Sequence, residues 1–185
     1  MRVARVAVTA GLLVAAAGAV GAIRAATRLD RLHVRTEAAW AALDAALCRR
    51  ARAISGLDGS AALRCAADTA LLAGSDVALR AGSDLALRAG AAVREEVENE
   101  LGRVLAVLDR RGLEPACAGR LADAEQRVVI ARRVYNDAVR DTLALRSHRM
   151  VRWLRLAGTA AAPRYFEIAE PALPSYGLEL DGAGA

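Results

Sequence analysis

The chain has 185 residues, of which 55% are hydrophobic and 3% aromatic, so alanine, leucine and valine must form its core. All 26 basic residues are arginine, a bias typical of GC-rich coding, so the net charge of +5 is weak support for nucleic-acid binding. The three cysteines are widely spaced without a CxxC pair, which argues against a disulfide framework or a zinc site and favours free thiols.

A short N-terminus, residues 1–5, precedes an uncharged apolar segment, residues 6–23. As a helix this segment would span about 27 Å, close to a hydrocarbon core of about 30 Å. Arg5 and Arg24 bracket it and can extend to the two interfaces. We therefore predict a transmembrane helix. A cleavable signal peptide is the alternative, although its apolar region is usually only about 7–15 residues long.

The arginines around this segment indicate its orientation. Arg2 and Arg5 precede it, whereas Arg24, Arg28, Arg31 and Arg35 follow it. Basic residues favour the cytoplasmic side of a membrane. We therefore expect a single-pass protein of the cell membrane, with its N-terminus outside and its body in the cytoplasm. An exported or outward-facing body is the alternative.

Beyond the apolar segment, a stripe of small and apolar residues recurs at spacings of 3 and 4, the pattern of a bundle helix. The stripe consists of Leu29, Leu32, Thr36, Ala39, Leu43 and Ala46, and Trp40 and Leu47 widen it. It falters at ISGLDGS, residues 54–60, where two glycines favour a stop and Ser60 favours a new N-cap. If the helix breaks there, the body has four helices; if not, three.

Residues 71–94 contain three related octads, LLAGSDVA, LRAGSDLA and LRAGAAVR. Eight residues advance a helix by about 80° beyond whole turns, so the repeated leucines do not line up on one face. Glycines also weaken helix interiors by about 1 kcal/mol each. We therefore predict a poorly packed insertion, either frayed helix or loop.

Two further helices are predicted after this repeat. The first carries Val93, Val97, Leu101, Val104 and Leu108 and ends before Gly112 and Pro115. The second has an unbroken stripe at spacings of 3 and 4: Leu121, Ala124, Val128, Ala131, Tyr135, Ala138, Thr142 and Leu145. The fold class is thus all-α, an N-terminal transmembrane helix followed by an antiparallel up-and-down bundle of three to four long helices over residues 27–147.

The stretch RRVYNDAVRDTLAL, residues 132–145, places polar groups beside this stripe. Tyr135 lies on the stripe, so its ring is expected in the core and its hydroxyl needs a hydrogen-bond partner. Asn136, Asp137 and Arg140 lie off it. We favour a surface ladder of charged pairs for these residues. The alternative is that they face a neighbouring helix and fix how the helices pair.

Several motifs resemble the LemA family. RLADAEQRVVIARRVYNDAVRD, residues 120–141, is similar to the family's signature helix, and EAAWAALDAALCRR, residues 37–50, to its Glu-Ala-Trp helix with a basic pair. ENELGRVLAVLD, residues 98–109, and PRYFEI, residues 163–168, are weaker matches. The resemblance covers most of residues 1–168. It implies a membrane helix followed by a helical bundle with a small N-terminus outside, and it carries over no catalytic residue.

The chain also departs from the family pattern. ISGL stands where members usually carry a proline and an apolar-asparagine stretch after the basic pair. A histidine-glutamate stretch is absent, and the octad repeat occupies that region.

The last part of the chain combines a basic segment with the closing motif, residues 148–168, and a tail, residues 169–185, expected to be disordered. Basic residues, Arg146, Arg149, Arg152 and Arg155, cover one arc of a helix, apolar residues cover the other, and Trp153 lies at the border. This pattern suits a helix on an anionic membrane surface. The alternative is a last helix that caps the bundle.

No nucleophile elbow, P-loop, dinucleotide fingerprint or HExxH pattern occurs in the sequence. We therefore expect no catalytic residues, cofactor or metal, no nucleic-acid partner and no evident small-molecule substrate. The expected role is a membrane-anchored interaction or scaffold module. Its expected partners are the lipid bilayer and a protein partner or a second copy of the chain.

Overall fold

A computed structural model describes residues 2–57, 60–79, 84–158 and 161–169, and within these ranges the regular secondary structure is all helix, without strands, as predicted. The helices are α1 (Arg2–Ser55), α2 (Ala61–Leu79), α3 (Asp84–Ala106), α4 (Pro115–Arg146) and the short α5 (Arg149–Trp153), with a 3₁₀ turn at Arg110–Gly112. The long helices pack as a bundle, which confirms the fold class.

Helix α1 is continuous over 54 residues, so the apolar segment and the first bundle helix form one rod. Its N-terminal part is long and apolar enough to cross a membrane, by length and composition. Further along, the predicted stripe faces the bundle. Leu29, Thr36, Ala39, Leu43 and Ala46 are all buried, because these positions recur on one face of the helix.

The ISGLDGS segment breaks the first helix as its glycines predict. Helix α1 ends at Ser55, and the Gly56 N–H donates to the Arg52 carbonyl across the last turn. Helix α2 then begins with Ser60 as its N-cap, because the Leu63 N–H donates to the Ser60 hydroxyl at 3.2 Å. The body therefore has four long helices within the described ranges.

The buried stripe of helix α3 overlaps the predicted one only in part. Val93 is 54% exposed, whereas its neighbour Arg94 is fully buried. Glu98, Leu101 and Leu105 complete the buried stripe, at spacings of 4, 3 and 4. Of the predicted residues, Leu101 is thus buried, and Val97, Val104 and Leu108 are partly buried against the core. The prediction was wrong for Val93, because the charged residues Arg94 and Glu98 take the most buried positions of this part of the helix.

Most of the octad repeat, residues 71–94, lies on the ends of α2 and α3 rather than in a separate insertion; residues 80–83 lie outside the described part. Gly74 and Arg94 are buried between the helices. The two ends of the repeat therefore belong to the bundle.

Helix α4 follows its predicted stripe. Pro115 occupies its first turn, where the missing N–H has no cost. Six of the eight stripe residues are buried, and Ala131 and Leu145 are partly buried. Helix α1 packs mainly against α4 and α2, and α2 packs against α3. The helices thus run up, down, up and down, and the end of α4 returns toward the N-terminal half of α1.

Candidate functional site

Helix α5 lies beside the apolar part of α1. A methyl group placed on Gly21 would lie 3.6 Å from the Met150 Cε atom, so α5 is level with the C-terminal end of the predicted transmembrane segment. Val151 is buried, which attaches α5 to the bundle. Trp153, in contrast, is 84% exposed. An exposed indole level with the end of a membrane-spanning helix is the arrangement found in interfacial aromatic belts, and Trp153 would match it if the apolar part of α1 crosses a membrane.

The four arginines predicted for this surface do not lie on one continuous helix. Arg146 is on α4, where it is partly buried and donates to the Ala161 carbonyl at 3.4 Å. The helix then breaks at Ser147 and His148. Arg149 and Arg152 are exposed on α5, and Arg155 follows in a turn with φ of +50°. The exposed part of the surface is therefore Arg149, Arg152, Trp153 and Arg155, which we call the basic rim.

Residues 161–169 form an extended closing segment that lies between α3 and α4. The Tyr135 hydroxyl donates to the Arg164 carbonyl at 2.9 Å. The Asn136 side chain binds Phe166 at two points: it accepts from the Phe166 N–H at 2.9 Å and donates to the Phe166 carbonyl at 3.1 Å. Asn136 therefore fixes this segment. It belongs neither to the favoured surface ladder nor to a contact with a neighbouring helix, the alternative.

Helix α3 holds the other side of the closing segment. The Glu167 N–H donates to Glu95 at 2.9 Å, and the Ala169 N–H donates to Asn99 at 2.8 Å. Residue 169, assigned from sequence to a disordered tail, is thus part of this segment, whereas residues 170–185 lie outside the described residues. Direct contacts between α3 and α4 are few, since the segment lies between them.

The side chains of the closing segment complete the core. Phe166 and Ile168 are buried. The Trp40 ring meets Tyr135 and Phe166 edge to face, with centroid distances of 5.3 and 5.6 Å. Burial, together with the Glu95 charge, raises the pKa of Tyr135 to about 12, so its hydroxyl stays protonated and donates at neutral pH. The predicted core residues Trp40 and Tyr135 therefore contact each other in the core, and Trp40 also contacts Phe166 of the closing segment.

Asp137 and Arg140 take no part in this arrangement. Their side chains form an ion pair of 3.0 Å, and they are 43% and 66% exposed. Pairs this exposed contribute little to stability. The favoured interpretation, a surface ladder, therefore fits Asp137 and Arg140.

A buried charge cluster, which the sequence reasoning missed, joins α1 to α3. It consists of Asp44, Arg50, Arg94 and Glu98. Arg50 donates a hydrogen bond to Glu98. Arg94 Nε lies 3.2 Å from Glu98 Oε1, within ion-pair distance but outside hydrogen-bond direction, and Arg94 Nη2 lies 3.4 Å from Asp44.

The cluster has no net charge when all its groups are ionised, because two guanidinium groups face two carboxylates. Arg94 also donates to the Ala70 carbonyl of α2, so three helices meet there. Burial raises the pKa of Asp44, and the Arg94 charge opposes that shift. Removing one member would leave a buried charge without a partner. A different helix register would do the same, so the cluster favours the observed register. No sequence pattern distinguished Arg94 and Glu98 from a pair on the helix surface, because they lie beside the predicted stripe and not on it.

Another ion pair, in which one partner is buried and the other is partly exposed, holds the turn before α4. Arg110 binds Glu125 with two parallel hydrogen bonds of 2.7 Å, and Glu125 is buried on α4. This bond raises the pKa of Arg110. The pair fixes the connection between α3 and α4.

Among the described residues, no group of three or more histidine, cysteine or acidic side chains is placed to hold a metal ion, and none of the three cysteines forms a disulfide bond. No protein-family model, no curated protein and no solved structure matches the chain.

Proposed function

We propose that this protein is a non-catalytic, membrane-anchored helical bundle that acts as an interaction or scaffold module. The observation that carries the proposal is the position of α5, with the exposed basic rim, against the C-terminal end of the apolar part of α1. If that part crosses a membrane, the rim would lie level with a lipid interface. By contrast, the charges of Arg94 and Glu98 are used in a buried internal cluster of ion pairs. The LemA-like motifs support the same assignment, and membership of that family is part of the proposal.

The basic rim gives the bundle a second attachment to the membrane. Arginines close to an anionic leaflet each contribute about 1 kcal/mol, and the contribution fades with salt. Trp153 adds an amphipathic ring at the same level. A bundle held at both α1 and α5 would stand in a defined orientation on the membrane, as a scaffold requires. The arginine bias around residues 6–23 favours a cytoplasmic bundle, and an outward-facing envelope bundle is the second candidate.

Vesicle binding tests this attachment. A chain starting at residue 25, checked for helical circular dichroism, is mixed with anionic or neutral vesicles. Trp40→Phe leaves Trp153 as the remaining tryptophan. We expect a blue shift of its fluorescence with anionic vesicles, reversed by salt.

Changing Arg149, Arg152 and Arg155 to glutamine should abolish the shift. The matched control changes three exposed arginines far from α5, Arg111, Arg120 and Arg133, and lowers the net charge equally. Equal loss in both variants would mean that net charge alone causes binding. Identical Trp153 spectra with both vesicle types would contradict the membrane-surface role.

A further inference from the structure

Helix α1 carries a second stripe, on a face that the bundle leaves exposed. Its residues are spaced 3, 4, 3 and 4 apart: Arg35, Ala38, Ala42, Ala45 and Arg49. All five are exposed. The stripe therefore has three small apolar residues at its centre and a cation at each end.

Helix α4 carries a matching exposed stripe. Its residues are spaced 4, 3, 4, 3 and 4 apart: Asp123, Arg127, Ile130, Val134, Asp137 and Asp141. Ile130 is 54% exposed and Val134 is 47% exposed, so two large apolar side chains stand at the centre. An acidic residue lies at each end.

The two stripes lie side by side and form one face. At one end Arg35 pairs with Asp141 at 3.2 Å across the two helices. At the other end a hydrogen bond from Arg127 lowers the pKa of Asp123, and the Arg49 charge lowers it further. The face thus has small residues on the α1 side, large residues on the α4 side and charged residues at both ends.

We propose that this face binds the same face of a second copy of the chain, in a parallel two-fold dimer. A two-fold axis parallel to the helices places α1 of each copy against α4 of the other at the same height. The alanines of one copy then receive Ile130 and Val134 of the other, since small residues facing large ones allow close packing.

Charge selects the parallel arrangement. In it, Arg35 faces the second copy's Asp141 at one end. Arg49 faces the second copy's Asp123 at the other. Both residues of the Arg35–Asp141 pair are about half exposed, so they retain hydrogen-bonding capacity for a second partner.

The antiparallel arrangement brings like charges together. It places α1 against α1 in the opposite direction, so Arg35 meets the second copy's Arg49. It also places Asp123 against the second copy's Asp141. Arg127 and Asp137 would attract each other in this arrangement, but they offset only part of the repulsion.

The proposed membrane anchor also favours the parallel dimer. If α1 of both copies starts in one membrane, as the proposed function requires, both bundles point the same way. This argument for the parallel orientation rests on the proposed function. The complementarity of the face does not depend on it.

Cysteine cross-linking in membranes tests the arrangement. In full-length chains whose native cysteines are changed to serine, Ala45→Cys is placed on one tagged chain and Ile130→Cys on a second chain with another tag. We expect an intermolecular disulfide between them under mild oxidation. Ala42→Cys on both chains tests the antiparallel dimer, because residue 42 would lie near its axis. Glu37→Cys, exposed on another face of α1, measures random collision.

A yield for the 45–130 pair about tenfold above the Glu37→Cys background would support the proposal. A dominant Ala42→Cys disulfide would overturn it in favour of the antiparallel dimer. Background yields for both pairs would overturn self-association through this face. Fractionation of the same samples shows separately whether the chain is in the membrane. Failure of the dimer and failure of the proposed function are therefore distinguishable.

Substitution of the apolar centre provides a second test, with the full-length chain in detergent. Ile130→Arg should weaken dimerisation by about tenfold or more, since two-fold symmetry places the substitution in the interface twice. Val93→Arg is the matched control, because Val93 on α3 is also 54% exposed. A monomeric mass for the unsubstituted chain would overturn the proposal. So would dimerisation seen only after truncation at residue 169, because the chain's own C-terminus would then occupy the face.

Discussion

At the scale of single residues, Gly74 has the least room for a side chain among the described glycines. A methyl group on Gly74 would lie 2.8 Å from both Arg94 Nη1 and Cys48 Sγ. Arg94 has little freedom to move away, because it is fully buried and bound to Glu98, Asp44 and the Ala70 carbonyl. A glycine inside a helix is thus required by a guanidinium group from another helix.

We expect Gly74→Ala to destabilise the bundle by about 1–3 kcal/mol, because overpacking outweighs the gain in helix propensity. Gly119→Ala on α4 is the matched control, since a methyl group there has nothing within 4 Å. This change should stabilise the helix by up to about 1 kcal/mol. Denaturant unfolding measures both. Equal stabilisation by the two substitutions would show that Arg94 can move aside.

At the scale of elements, the closing segment acts as a fifth member of the bundle. Its backbone is held by Tyr135 and Asn136 on α4 and by Glu95 and Asn99 on α3. Phe166, fully buried, fills space between these helices. The segment thus provides packing that α3 and α4 lack with each other.

Asn136→Ala tests this element. It leaves the N–H and carbonyl of Phe166 without their partner, and we expect a loss of about 1–3 kcal/mol in unfolding free energy. Trp40 fluorescence should change as well, since its ring contacts Phe166. Asp137→Ala, the neighbouring change at an exposed ion pair, should cost less than about 1 kcal/mol. A loss for Asn136→Ala no larger than for Asp137→Ala would mean that the two Asn136 hydrogen bonds contribute little to holding the segment.

At the scale of the whole molecule, the even number of long helices determines where the C-terminal part lies. Because α1 ends at Ser55, three more helices follow and α4 returns to the N-terminal half of α1. The short α5 can then contact α1 at Gly21. An unbroken first helix would have carried the basic rim to the far end.

The orientation of the whole molecule gives a further prediction. If the bundle is cytoplasmic, a tag at the C-terminus should resist protease added to intact spheroplasts and be cleaved after lysis. A tag cleaved in intact spheroplasts would assign the bundle to the outer side. A cytoplasmic marker protein that stays intact is the control for lysis.

The sequence by itself determined those features that depend on local pattern. The apolar segment, the stripes of α1 and α4 and the Ser60 N-cap could all be predicted, because helical periodicity and capping involve residues within a few turns. The requirement that Tyr135 find a hydrogen-bond partner was also visible. The partner itself, the Arg164 carbonyl, was not.

The tertiary structure alone decided what depends on residues far apart in the chain. Arg94 and Glu98 look like surface residues in sequence, and they can be buried because Arg50 and Asp44 of α1 supply opposite charges. The closing segment has no periodicity of its own, and its conformation comes from side chains of α3 and α4. Burying a charge or an irregular backbone is favourable when its partners are in place, and the packing of the helices supplies those partners.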